Sequence, residues 1–174
     1  MALVTHFNMR RIGLLSDTHG FLHPKLFSFF SDCHEIWHAG DIGNIETADK
    51  LVAFKPLRAV YGNIDGGVLR QTYNEKEVFY CEGVKVFMTH IGGYPGRYAK
   101  GISQEIRQEK PKLFISGHSH ILKVINDPKN NLLHINPGAA GKSGFHKKIT
   151  LIRFVIEGDR ISDLEVYEVD RLRS

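Results

Sequence analysis

The sequence predicts a mixed α/β fold in which two β-sheets pack face to face with helices outside them. Three observations predict it. Five short apolar runs, at 12–16, 35–39, 57–61, 84–88 and 113–116, are rich in β-branched or large apolar residues and stop at small or polar ones. Each therefore reads as a buried strand. Helical segments alternate with these runs early in the chain, which implies a sheet covered on both faces. Hairpins dominate later, and the mixture is best satisfied by two packed sheets. Periodicity alone leaves a single mixed sheet open.

Residues 1–10 read as a loose leader. The first strand, 11–16, delivers Asp17 and His19. In extended backbone, residues two apart point the same way, so this carboxylate and imidazole can reach one ion together. Gly20 breaks the chain, Pro24 suits a first helical position, and 25–30 reads as a helix whose Phe27, Phe29 and Phe30 belong to the core. The second strand ends at Asp41. Asn44 suits the N-cap of a helix over 45–54, with Ala48, Leu51, Val52 and Phe54 as its apolar face and Pro56 as its stop. The third strand leads to Asn63. After a Gly66-Gly67 turn, 77–80 and 84–89 form a hairpin around Cys81-Glu82-Gly83, with His90 at its exit. Residues 92–97 read as a loop and 98–109 as a helix stopped by Pro111. The next strand carries His118 and His120, again two apart. Residues 121–125 and 132–135 make a second hairpin, 136–141 a small-residue loop, and 149–156 with 161–169 a last hairpin. No repeat, low-complexity segment or linker interrupts the chain, so one domain over 1–174 is expected.

That length is enough to bury about two-thirds of the surface an unfolded chain exposes. A hydrophobic content of 42% and a charged content of 24% are those of an ordinary globular protein. No apolar stretch approaches the roughly 20 residues of a membrane-spanning helix. The first ten residues hold no apolar core of signal-peptide length. Cys33 and Cys81 make no metal or redox pattern, which points to a reducing, cytoplasmic setting with two unpaired thiols. The net charge of +4 comes from scattered Lys and Arg. A mild positive field suits an anionic small-molecule substrate and does not indicate nucleic acid or membrane as a partner. The ten histidines carry more information, because neutral imidazole is the commonest protein metal ligand.

A lone His at a strand end is usually a hydrogen-bonded structural residue. Here Asp17, His19, Asp41, Asn63, His90, His118 and His120 place seven oxygen or imidazole donors at comparable ends of five runs. Open sheets carry their sites beyond the carboxyl ends of their strands. Seven donors exceed what one tetrahedral zinc needs, but they fit two ions if one carboxylate is shared. Two ions about 3.5–4 Å apart form a clamp suited to in-line displacement at phosphorus. The absence of Cys from the set disfavours a purely structural zinc.

Asp17-Thr18-His19, Gly40-Asp41, Gly62-Asn63, His90 and Gly117-His118-Ser119-His120 resemble, in order, the motif set of the calcineurin-like metallophosphoesterases. The chain looks most like their small single-domain bacterial and archaeal phosphodiesterases, to which the eukaryotic retromer scaffold subunit is similar. The resemblance runs from about residue 12 to residue 150. It implies a four-layer αββα sandwich and a centre of two divalent ions, manganese first, with zinc, iron or nickel as alternatives. One ion would take Asp17, His19 and His120, the other Asn63, His90 and His118, with Asp41 bridging them. The implied reaction is hydrolysis of a phosphodiester by a hydroxide shared between the ions, with Asp17, Asp41, Asn63 and His90 at the chemistry. Asn63 is also expected to touch the substrate. Asn136-Pro137-Gly138 resembles the family's late Asn-Pro-Gly-Ser turn, which borders the site.

Three departures stand out. The better-known phosphatases follow their Gly-Asn with a His that serves as acid or phosphate contact; this chain has Ile64. The frequent His-Gly-His is here His90-Ile91-Gly92, and Ala139 stands where the late turn usually has Ser. Of the other histidines, His146, near Lys142 and Lys147, is a candidate substrate contact. His38 reads as a core or edge residue, and His23, His34 and His134 as structural or exposed. Asp65 reads as a turn residue. A phosphomonoesterase or nucleotidase on the same centre is the rival enzyme, and a retromer-like scaffold the rival from another class. The scaffold predicts degraded ligands, and all seven are intact.

Overall fold

The computed structural model describes residues 8–173. Most of the leader expected at 1–10 lies outside these residues, and Arg10 already belongs to the first strand. In chain order the elements begin β1 (Arg10–Leu15), α1 (Lys25–Phe29), β2 (Glu35–His38), α2 (Ile45–Phe54) and β3 (Leu57–Ala59). They continue with α3 (Gly67–Thr72), β4 (Lys76–Cys81), β5 (Val84–Thr89), β6 (Gly93–Tyr94), β7 (Arg97–Tyr98) and α4 (Ile102–Glu109). Then follow β8 (Leu113–Ile115), β9 (Leu122–Asp127), β10 (Leu132–Pro137), β11 (Lys148–Glu157) and β12 (Arg160–Asp170).

The strands form two five-stranded mixed sheets, ordered β12-β11-β1-β2-β3 and β4-β5-β8-β10-β9, and so settle the choice against a single sheet. In the first, β1, β2 and β3 are parallel and β11 and β12 antiparallel. In the second, β5, β8 and β10 are parallel and the edge strands β4 and β9 antiparallel. Strand alternation decides what each face buries. Ile12, Leu14, Trp37, Ile152 and Phe154 of the first sheet pack against Val84, Val86, Met88, Leu113, Ile115 and Ile135 of the second. One residue out of phase, Leu15, Ile36 and Leu151 meet Leu26 and Phe30 of the α1 region and Leu51 of α2 on the outer face. Phe87 and Phe114 meet Ile102 and Ile106 of α4 on the opposite outer face. The four layers are thus αββα.

Local chemistry sets the helix ends. Asn44 caps α2 by accepting from the Thr47 N–H at 2.9 Å. Lys55, held extended by the following Pro56, ends it. Lys110 in the left-handed region closes α4 before Pro111. Several expectations are corrected. Gly66-Gly67 is not a turn but the start of α3, whose sequence hid it because only Leu69 is buried. Residues 92–97 are not an open loop but hold the small β6–β7 hairpin, so Tyr98 is in a strand and α4 begins only at Ile102. Phe27 and Val52 lie at the surface, 37% and 54% exposed, because α1 and α2 each bury a narrower stripe than their apolar residues could fill.

Candidate metal centre

Five of the parallel strands, β1, β2, β3, β5 and β8, end on the same side, and the donor residues leave from those ends. The loops after β1 and β2 are zipped together: Asp17 N–H donates to Gly40 O (2.9 Å), His19 N–H to Asp41 O (3.0 Å) and Gly20 N–H to Ile42 O (2.8 Å). The backbone of the donors is not extended. Asp17 (φ 55°), His19 (47°), Asp41 (55°), His118 (66°) and His120 (57°) are all left-handed. Alternating left-handed residues, not strand alternation, therefore aim each pair. Such positions cost on the order of 1–3 kcal/mol each and gather at functional sites.

Buried polar residues hold these loops in place. Thr18, between Asp17 and His19, donates to Ile42 O at 2.9 Å and accepts from His38 Nε2 at 2.9 Å. His38 Nδ1 accepts the Gly40 N–H at 3.1 Å, which makes Nε2 the protonated nitrogen. Burial holds this imidazole neutral, with its pKa pushed down to about 4. His38 is therefore a strut for the Asp17–His19 loop. Asp65, expected as a turn residue, does more. Its carboxylate is buried and accepts three backbone N–H groups: Gly62 (2.8 Å) and Ile42 (3.0 Å) on Oδ2, Gly43 (2.8 Å) on Oδ1. It staples the Asp41 loop to the Asn63 loop. Gly62 is needed at this junction, because a Cβ there would overlap Asp41 Oδ1. Asn136 plays the matching part for the last loop, donating to Gly117 O (2.9 Å) and Ser119 Oγ (3.0 Å).

Two clusters result. Donor atoms of Asp17, His19 and His120 lie within 4.8 Å of one another, as do those of Asp41, His90 and His118. Asp17 Oδ1 is 3.1 Å from His120 Nε2 and 4.0 Å from His19 Nε2. Asp41 reaches both clusters: Oδ2 lies 3.7 Å from His19 Nε2, Oδ1 3.2 Å from His90 Nε2. Asn63 stands exposed on its loop and shares a cavity of about 430 Å³ with His90.

The outer nitrogens of two ring systems are committed. His90 Nδ1 donates to Ala39 O at 2.8 Å. His120 Nδ1 meets His146 Nδ1 at 3.0 Å, and His146 Nε2 meets Gly141 O at 2.9 Å. A carbonyl only accepts, so neutral His146 carries its proton on Nε2 and takes the His120 Nδ1–H on its other nitrogen. His90 and His120 thus present Nε2 lone pairs inward, as metal-ligating histidines do. His146 is placed behind a donor with both nitrogens engaged rather than free to face a substrate.

The clusters pass a test of fit for cations. Asp17 Oδ1, His19 Nε2 and His90 Nε2 are buried without a hydrogen-bond partner. His90 Nε2 and Asp41 Oδ1 approach to 3.2 Å without forming a hydrogen bond. Each such orphan costs about 1–3 kcal/mol unless something satisfies it. Burial alone would raise the Asp41 carboxyl, yet His90, the Ile64 N–H and His19 hold it below the usual carboxylate range. Burial likewise opposes a charged His90, yet Asp41 and Asp17 raise its pKa. Both shifts mean that the recess favours positive charge.

His23 and His34 accept the backbone N–H groups of Lys25 and Arg11. His134 is fully buried and packs on Phe114. Asp65 and the role of His146 were missed by sequence reasoning; the Asp-Gly-Gly after Asn63 looked like ordinary turn chemistry.

Left-handed loops at the carboxyl ends of parallel strands, carrying two Asp/His clusters joined by one carboxylate, define a metal-binding hydrolase centre. The chain belongs to the calcineurin-like phosphoesterase superfamily, whose domain profile matches residues 9–159. It is 29% identical over 139 residues to a "probable metallophosphoesterase" of Methanothermobacter thermautotrophicus, covering 74% of this chain and 76% of that one. Among solved structures it is similar to vacuolar protein sorting 29 of Cryptosporidium parvum (TM-score 0.72, 16% identity, 93% of this chain and 98% of that one). It is similar also to a novel archaeal phosphodiesterase (TM-score 0.71, 20% identity, 91% of this chain and 99% of that one). At these identities the two structures speak for the fold alone. Among the described residues no helix is long and apolar enough to cross a membrane.

Proposed function

We propose that the chain is a phosphodiesterase working with two divalent ions, manganese foremost, on a small phosphoester in the cytoplasm, with neither nucleic acid nor membrane as its partner. The observation that carries this reading is the reach of Asp41 to both clusters, one oxygen to His19 and the other to His90. Asp17, His19 and His120 would hold one ion, Asn63, His90 and His118 the other, and Asp41 both. When bound, such a pair supplies an activated water and neutralises charge on the phosphoryl oxygens.

The chain's own groups do the rest. Ala39 O fixes the proton on His90 Nδ1, and His146 receives the one on His120 Nδ1, so both inward nitrogens stay unprotonated. Asp65 and His38 keep the loops from collapsing onto the negative recess. Asn63, exposed beside His90, would orient a phosphoryl oxygen. Ile64 has no proton to give, which favours esters whose leaving group departs unaided. Its N–H instead donates to Asp41 Oδ1 at 3.1 Å.

Metal analysis of the purified protein, followed by paired assays on bis(p-nitrophenyl) phosphate and p-nitrophenyl phosphate, tests this. Two equivalents of divalent metal and a clear preference for the diester are expected. A preference for the monoester would make it a phosphomonoesterase. Bound metal with no hydrolysis of either would favour a scaffold.

A further inference from the structure

Beside His120, a recess of about 760 Å³ is lined by His118, His120, Ile121, Leu122, Phe145 and Lys147, among others. Phe145 leaves its whole ring in water, 104% exposed, and Ile121 is 57% exposed. A lone exposed apolar residue on a loose loop would mean little. This loop is not loose. His146 anchors it to Gly141 O and to His120. The Arg171 guanidinium donates to Lys142 O at 3.2 Å and to Gly144 O, and the Arg171 N–H donates to Lys147 O at 3.0 Å. The backbone is thus tied on both sides of Phe145 while its ring projects free. Gly144 (φ +118°) lets the chain pass so close that a Cβ there would overlap the His120 ring. Phe145 is therefore the next residue after one that lies against a metal-facing imidazole.

We infer that Phe145, with Ile121 beside it, seats a planar aromatic group esterified to the phosphate at the Asp/His centre. This rests on the phosphoesterase reading and narrows its substrate class to aryl or nucleoside phosphoesters. The two parts of such a substrate match the two parts of the recess. Its phosphate belongs at the end formed by His118 and His120, with Lys147 adding positive charge. The carboxylate in the lining, Glu168, lies 3.6 Å from Lys148, which it shares with Asp170 at 2.9 Å, and is exposed to screening by water. The organic group falls on Phe145 and Ile121. An alkyl chain gains most from enclosure, whereas Phe145 offers an open face, and an open face suits a flat ring that stacks.

Calorimetric titration of the metal-loaded protein with methyl phosphate, phenyl phosphate and a nucleoside 5′-monophosphate tests the seat without relying on turnover. Phenyl phosphate, the nucleotide or both should bind about 5- to 150-fold more tightly than methyl phosphate, the range of one stacked ring. In Phe145→Ala that ratio should fall close to one, and in Phe145→Trp it should hold or rise. A gain confined to phenyl phosphate assigns a compact aryl group; one shared or exceeded by the nucleotide assigns a nucleobase. Equal affinity for methyl and phenyl phosphate, or a preference that survives Phe145→Ala, overturns the inference while leaving the phosphoesterase reading intact. If methyl phosphate itself does not bind, that reading fails and the seat fails with it.

Discussion

His120 donates its Nδ1 proton to His146 across 3.0 Å, and His146 passes the same polarity on to the carbonyl of Gly141 at 2.9 Å. Burial keeps His146 below the ordinary imidazole pKa, as does the charge of Arg171, so it remains an acceptor near neutral pH. A residue two positions before β11 thereby sets the tautomer of a donor on the loop after β8.

Replacing His146 with Ala should weaken metal binding by about 10–100-fold, the usual effect of losing the partner behind a ligating His. His146→Gln, whose side-chain oxygen can still accept, should recover part of it. Competition against a fluorescent chelator measures both. Equal affinity in wild type and His146→Ala would show that the relay does not hold His120.

Asp41→Asn should abolish hydrolysis and lower bound metal, because a neutral amide cannot balance two divalent ions. The loss should exceed the 10–100-fold or so caused by removing an outer partner. Elemental analysis alongside turnover checks this; near-normal values for both would sink the bridging assignment.

Asp65→Ala removes an acceptor from three buried N–H groups. Hydrogen bonds to a charged group contribute about 1.5–3 kcal/mol each, so a loss of several kcal/mol is expected. At about 2–4 °C per kcal/mol for a chain of this size, the midpoint of thermal unfolding should drop by roughly 10 °C or more. A drop under a few degrees would show that water replaces the carboxylate there at little cost.

His134 links stability to pH. Burial lowers its pKa from 6.5 to about 4 in the folded chain. Between those values the unfolded state binds the extra proton, so stability is full above about pH 6.5 and falls as the pH drops towards 4. The contribution is on the order of 3 kcal/mol. His134→Met should flatten that part of a stability–pH curve obtained by urea unfolding. An unchanged slope would mean that other groups carry the acid sensitivity.

Ile64→His tests the missing acid. Ile64 is 48% exposed beside the Asp41 loop. A His there should raise turnover on alkyl esters by up to about 10²–10⁴-fold and barely change it on p-nitrophenyl esters, whose leaving group needs no proton. Bound metal must be measured in parallel, because Asn63 is adjacent. An equal effect on both ester classes would place Ile64 away from any leaving group.

Much of this architecture was legible before the fold was known. The apolar runs are short and stop at polar residues, so β1, β2, β3, β5 and β8 could be read from composition and length. The hairpins over β4–β5, β9–β10 and β11–β12 and the Asn44 cap were equally plain. Short elements were not. In α3 only Leu69 of six residues is buried, and β6 and β7 have two residues each, too few to establish a period.

The sequence by itself determined the kinds of donor, their order along the chain and their position at the ends of buried strands. These are local properties of residue type and spacing, and they placed the chain in its family. Only the tertiary structure decided how the donors meet. Asp17 and His19, expected to reach one ion from extended backbone, do share a cluster, but left-handed turns rather than strand alternation bring them together. His19 and His120 share Asp17, while His118 joins His90 and Asp41. The Asp65 staple and the His146 relay depend on groups brought together from distant parts of the chain. No local pattern records such contacts, because they exist only once the two sheets have packed.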